Sequence, residues 1–64
     1  MEIKTEQQQQ VDFATDNNLQ LYSWGVFYVD GETDVVWAPT EGGALRVAEA
    51  RRPGVMIAQL RVRP

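Results

Sequence analysis

Apolar and polar positions along this chain follow different spacings in different stretches. Between Leu19 and Ala38 (LQLYSWGVFYVDGETDVVWA), two runs of aromatic, aliphatic and β-branched residues flank the dipeptide Asp30-Gly31. That arrangement is the strongest short-range signal for a β-hairpin, and it predicts strands over 19–29 and 32–38. A two-residue turn at Asp30-Gly31 sets Tyr28 opposite Thr33, Val26 opposite Val35 and Trp24 opposite Trp37. Phe27, Gly25 and Ser23 then meet Asp34, Val36 and Ala38 on the other face. A longer loop over Asp30 to Asp34 shifts this register. Alternation breaks between Leu21 and Trp24, which points to a bulge at Ser23 to Gly25.

The flanking segments read as helix and strand. Met1 to Lys4 reads as a frayed end or a brief edge strand through Ile3. Thr5 fits a helix N-cap, Gln8 completes a capping-box spacing, and Glu6 suits the positive end of the helix dipole. A helix over about 6–16 follows, with a thin inward stripe of Val11, Phe13 and Ala14 led in by Gln7 and Gln10, and it ends at Asp16-Asn17-Asn18. The Gln7–Gln10 run reads as a solvated face. Pro39 stops the second strand, Thr40 caps a second helix, and Pro53-Gly54 ends it, giving about 41–52. Ala44, Leu45, Val47, Ala48 and the stem of Arg51 form its expected buried side. Val55 to Val62 alternates as a last strand, with Met56, Ala58, Leu60 and Val62 on one face. The fold class is therefore α+β: a small two-layer domain of order α-β-β-α-β, a three-stranded sheet built on the hairpin with both helices packed on it. The crossover through the second helix sets the last strand parallel to the second or to its neighbour.

Length sharpens this picture. One domain of 64 residues buries only about 60% of its unfolded surface, so small chains commonly need a disulfide, a metal or a partner. With no cysteine and no histidine, disulfides, thiolate or imidazole metal ligands and the Ser-His and Cys-His nucleophilic arrangements are all excluded. No EF-hand spacing of acids is present. A protein partner, including a second copy as a homodimer, is the remaining support, and Val55 to Val62 is a candidate edge for pairing. No apolar run approaches the roughly 20 residues of a membrane span. MEIKTEQQQQ lacks the basic start and apolar stretch of a signal peptide, so a cytoplasmic location is expected.

The net charge of −3 is unevenly spread. Residues 1–41 carry one lysine against eight acids, −7, and residues 42–64 carry five arginines against one glutamate, +4. Glu32 and Asp34 share a strand face, but beside a turn such acids serve solubility. Glu41-Gly42-Gly43 at a helix start lacks the spacing and lysine of a phosphate-binding loop. No enzyme activity and no cofactor or metal is expected. What stands out is an aromatic surplus: Tyr22, Trp24, Tyr28 and Trp37 exceed what one thin helix covers. With Arg51, Arg52, Arg61 and Arg63 they form the candidate contact region of a self-associating protein-interaction module. The alternative is a single-stranded nucleic-acid binder stacking bases on Trp24, Trp37 and Tyr28 beside Arg61 and Arg63; a pI near 4.6 disfavours it, because phosphate binding wants a basic surface.

Overall fold

The computed structural model describes residues 4–64, in the order α1 (Glu6–Asp16), β1 (Tyr22–Tyr28), β2 (Thr33–Ala38), α2 (Glu41–Arg51) and β3 (Ile57–Val62). The expected α-β-β-α-β order holds. The reading of Met1 to Lys4 as a frayed end or edge strand falls almost wholly outside the described residues.

Both helices start where their caps predict. Thr5 Oγ1 accepts from the Gln8 amide at 3.1 Å, and Thr40 Oγ1 accepts from the Gly43 amide at 3.1 Å. The reciprocal arm of the first capping box is absent, because the Gln8 side chain donates to Asp12 instead. The first helix closes with Asn18 in the left-handed region at φ 54°. The Asn18 amide donates to Thr15 and the Leu19 amide to Ala14, a paired closure that satisfies the last carbonyls.

The hairpin forms with a register one residue away from the expected one. Its turn is three residues long: the Tyr28 amide donates to the Glu32 carbonyl at 2.9 Å, and the Gly31 amide to the Tyr28 carbonyl at 3.0 Å. Gly31 takes φ 92°, the conformation that three-residue hairpin loops require of their last residue. Trp24 therefore lies opposite Val36, Val26 opposite Asp34 and Ser23 opposite Trp37. Since side chains alternate between faces, a one-residue slip turns a whole strand over. Trp24 and Trp37, expected side by side, point to opposite faces of the sheet.

The third strand bears out one expectation and corrects another. Of the two directions the crossover allowed, parallel to β2 is the one found, but its hydrogen-bonded neighbour is β1, to which it is antiparallel, in the sheet order β2-β1-β3. It thus runs in the direction of β2 with β1 between them. The bulge is not at Ser23 to Gly25 but in the β1–β3 ladder, where Phe27 pairs with Gln59 and Tyr28 with Ile57, leaving Ala58 over. That extra residue breaks the alternation of β3, so Ile57 and Leu60 both pack against the core, where strict alternation puts them on opposite faces.

The helices lie on one face of the sheet. The Cα trace extends 34 × 33 × 14 Å, the thickness of one sheet plus one helix layer. Val26, Tyr28, Val36, Ala38, Ala44, Val47 and Ala48 form the core. Its largest fully buried side chains are three valines. Gly43, Ala44, Val47 and Ala48 are the buried stripe of α2. Leu45, expected inside, is exposed, since it sits about 100° round the helix from Ala44. At Gly43 a side chain would press on Ala38 and on the Gln10 side chain of α1, so the glycine lets the layers approach closely.

Two glycine substitutions are expected to act with opposite sign. Gly31→Ala forces a side chain into the left-handed region and lowers unfolding free energy by about 1–2 kcal/mol. Gly42→Ala, on an open helix position, raises it by roughly 0.5 kcal/mol through helix propensity. Urea titrations of the two variants against wild type measure both.

Candidate interaction surface

The eight residues singled out from sequence do not form one surface. On the helix side of the sheet, Tyr28 is buried and its hydroxyl donates to the Ala48 carbonyl in the last turn of α2 at 3.0 Å. Trp24 is half-buried there, with Nε1 donating to the Ala38 carbonyl at 3.0 Å. Tyr22 lies at the rim of the same side, exposed, beside Pro39, Thr40 and Val62. A base-stacking platform of Trp24, Tyr28 and Trp37 is therefore not formed.

Arg51 and Arg52 are occupied within the fold. Arg52 pairs with Asp30 through both terminal guanidinium nitrogens, Nη1 to Oδ1 at 3.1 Å and Nη2 to Oδ2 at 2.7 Å. Its carbon Cζ sits 4.7 Å from the centre of the Tyr28 ring, close enough for a cation–π contact. The same Asp30 Oδ1 accepts from the Glu32 amide at 3.1 Å. The hairpin turn is thus clamped to the end of α2. Arg51 Nη1 donates to Asp34 Oδ1 at 3.0 Å and to the Val35 carbonyl at 2.9 Å.

The other sheet face carries no helix. Ser23, Gly25 and Phe27 from β1, Thr33, Val35 and Trp37 from β2, and Gln59 and Arg61 from β3 point to it, with Arg63 just beyond. These positions follow from the observed registers and the alternation of side chains. Phe27 and Trp37 are 40% and 42% exposed, large values for rings on a sheet. A shallow concavity over Gly25 is bounded by Phe27, Val35, Arg61 and Arg63. Among the described residues Arg46, Arg51 and Arg52 each have an acidic partner, Glu6, Asp34 and Asp30, whereas Arg61 and Arg63 have none. Phe27 borders the concavity with both arginines, and Trp37 lies outside it, on the same face two side-chain rows along β2 from the row of Phe27. Phe27, absent from the sequence-based set, belongs to this face. Only a three-residue turn, counted through the pairs, would have revealed that.

The two edges of the sheet differ as well. The outward backbone groups of β2 at Val35 and Trp37 are occupied by side chains. Gln7 of α1 bonds Trp37 twice, Nε2 to the carbonyl at 2.6 Å and Oε1 from the amide at 2.9 Å. Arg51 takes the Val35 carbonyl, and Asp34 Oδ1 takes the Val35 amide at 2.7 Å. The run Gln7–Gln10 is thus not merely a solvated face, since Gln7 closes a strand edge and Gln10 packs against Gly43. Among the described residues no group of three or more potential metal ligands comes together. No helix there is long and apolar enough to cross a membrane.

The clamp sets a pH dependence. The Arg52 guanidinium, and secondly the Glu32 amide, hold the Asp30 carboxyl below its usual value of 3.8. A depressed folded-state value means a contribution fully present above the unfolded-state value and lost as pH falls through the folded one. Acid titration of wild type is therefore expected to show stability falling below about pH 4, with a shallower slope in Asp30→Asn, followed by tryptophan fluorescence in urea at successive pH values. Equal slopes would show that the pair is not formed in solution. Comparison with known proteins finds no matching family model, no matching curated relative and no matching solved structure.

Proposed function

We propose that this chain is a non-enzymatic protein-interaction module whose contact surface is the open sheet face. Phe27, Val35 and Trp37 form its apolar centre, and Arg61 and Arg63 its charged rim. The observation that carries the reading is the one-sided helix layer, which leaves Phe27 and Trp37 partly exposed on a face that also holds two arginines without acidic partners among the described residues. An apolar centre with a polar rim is the usual anatomy of a protein interface, and Trp and Arg contribute disproportionately to binding there. The arginines fit a partner that presents carboxylates around an apolar contact.

A second reading, single-stranded nucleic acid, draws on the same arginines beside the Phe27 and Trp37 rings, on which bases can stack. The net charge of −3 weighs against it, because phosphate contacts favour a basic surface. A cytoplasmic location belongs to the same proposal and is checked by fractionating the native host.

The test compares wild type with the triple variant Phe27→Ser/Trp37→Ser/Arg61→Glu, its fold verified by far-UV circular dichroism. Each is used to retain proteins from a native-host lysate, and affinities for a retained protein are then measured. A protein held by wild type and weakened about 100-fold by the variant is the expected result. Equal retention by both overturns the reading. So does salt-sensitive quenching of tryptophan fluorescence by single-stranded DNA with no protein retained.

A further inference from the structure

The bare edge of β3 carries a consequence beyond the open face. The Arg63 amide donates to the Ser23 carbonyl of β1 at 2.8 Å. In an antiparallel ladder, residues alternate between pointing at the partner strand and away from it. Arg61 and Gln59 therefore turn their backbone groups to β1, and Leu60 and Val62 turn theirs outward. Among the described residues no side chain bonds to those outward groups, whereas each outward group at Val35 and Trp37 on the opposite edge is taken by Gln7, Arg51 or Asp34. One edge is closed at Val35 and Trp37, and the other is a template for a further strand. The flank of that open edge is also apolar: Val62 is 52% exposed and Leu60 only half-buried.

We infer that a second copy of this chain adds at this edge, β3 against β3 in antiparallel fashion, with the two-fold axis at Leu60, making one six-stranded sheet. Charge selects this register. An axis at Arg61 sets that arginine against its own copy, and an axis at Val62 sets it against Arg63; like charges directly opposite are destabilising. An axis at Gln59 carries the pairing past the bulge to Met56, beyond the end of the strand. With the axis at Leu60, Leu60 meets Leu60, Val62 meets Ala58, and Arg61 meets the neutral Gln59, all drawn from the strand itself. Such a contact is isologous, as closed dimers require. A six-residue strand buries less than a standard interface of about 1,600 Å², so the dimer dissociates in the micromolar range.

Sedimentation equilibrium across micromolar concentrations, at low salt, tests this with three variants. In Val62→Pro the lost amide points away from β1, so the intrachain ladder is kept, and two bonds across the axis disappear; dimerisation weakens about tenfold or more, with folding checked by circular dichroism. Gln59→Glu, on the exposed face, creates two Arg61–Glu pairs across the axis and tightens the dimer roughly fivefold, and Gln59→Lys loosens it by a similar factor. Net charge alone predicts the reverse order, since glutamate makes an acidic chain more acidic and lysine less so. A monomer at every concentration overturns the inference, as does a dimer indifferent to Val62→Pro or one strengthened by lysine and weakened by glutamate. Trp37→Ser is expected to leave the dimer unchanged, so loss of the edge contact and loss of the open-face contact are read separately.

Discussion

The three-residue hairpin turn, which the left-handed glycine at position 31 permits, decides which side chains face the helices. Gly31 closes a three-residue loop at φ 92°, and Asp30 holds that loop by accepting from Glu32 while gripping Arg52 at the end of α2. With this count, Val36 and Ala38 join Val26 and Tyr28 under the helices. One residue fewer in the loop would turn Trp37 inward and Val36 and Ala38 outward. The alanine-rich stripe of α2 matches small partners on β2, not an indole, so packing and turn geometry agree on the same register.

With three valines as its largest fully buried side chains, the core supplies modest hydrophobic stabilisation. The elements are tied together instead by polar atoms of long side chains reaching backbone groups of other elements. Gln7 bonds β2 from α1, Arg51 bonds β2 from α2, Tyr28 bonds α2 from β1, and Trp24 bonds the end of β2. Each such bond contributes about 1 kcal/mol net, and each also fixes relative position, which a layer of small side chains does weakly. The acid-rich first part and arginine-rich second part of the chain are in part reconciled by the same means, since Asp30 and Asp34 pair with Arg52 and Arg51. The charge left over on the sheet, at Arg61 and Arg63, gathers beside Phe27 on the open face. The bare β3 edge lies alongside them, on the side of the sheet opposite the β2 edge that Gln7 and Arg51 tie.

Local signals placed the two helices to within a residue and the hairpin reversal: a threonine hydroxyl three residues from the amide it accepts, an asparagine tolerant of the left-handed region, a proline without a donor, an Asp-Gly dipeptide. The strand ends were less legible, with β1 expected from Leu19 and found from Tyr22. The sequence alone also set the α+β order and showed which residues are aromatic or charged. The candidate contact site was legible only as a composition. Tertiary structure decided the register, the place of β3 beyond β1, the bulge at Ala58 and hence the face on which every ring lies. Two- and three-residue loops through Asp-Gly differ little in local energy, and the choice is made by how side chains from sequence-distant elements pack. For the same reason Trp37, Arg61 and Arg63 share the open face with Phe27, while Tyr28, Arg51 and Arg52 were drawn into the fold.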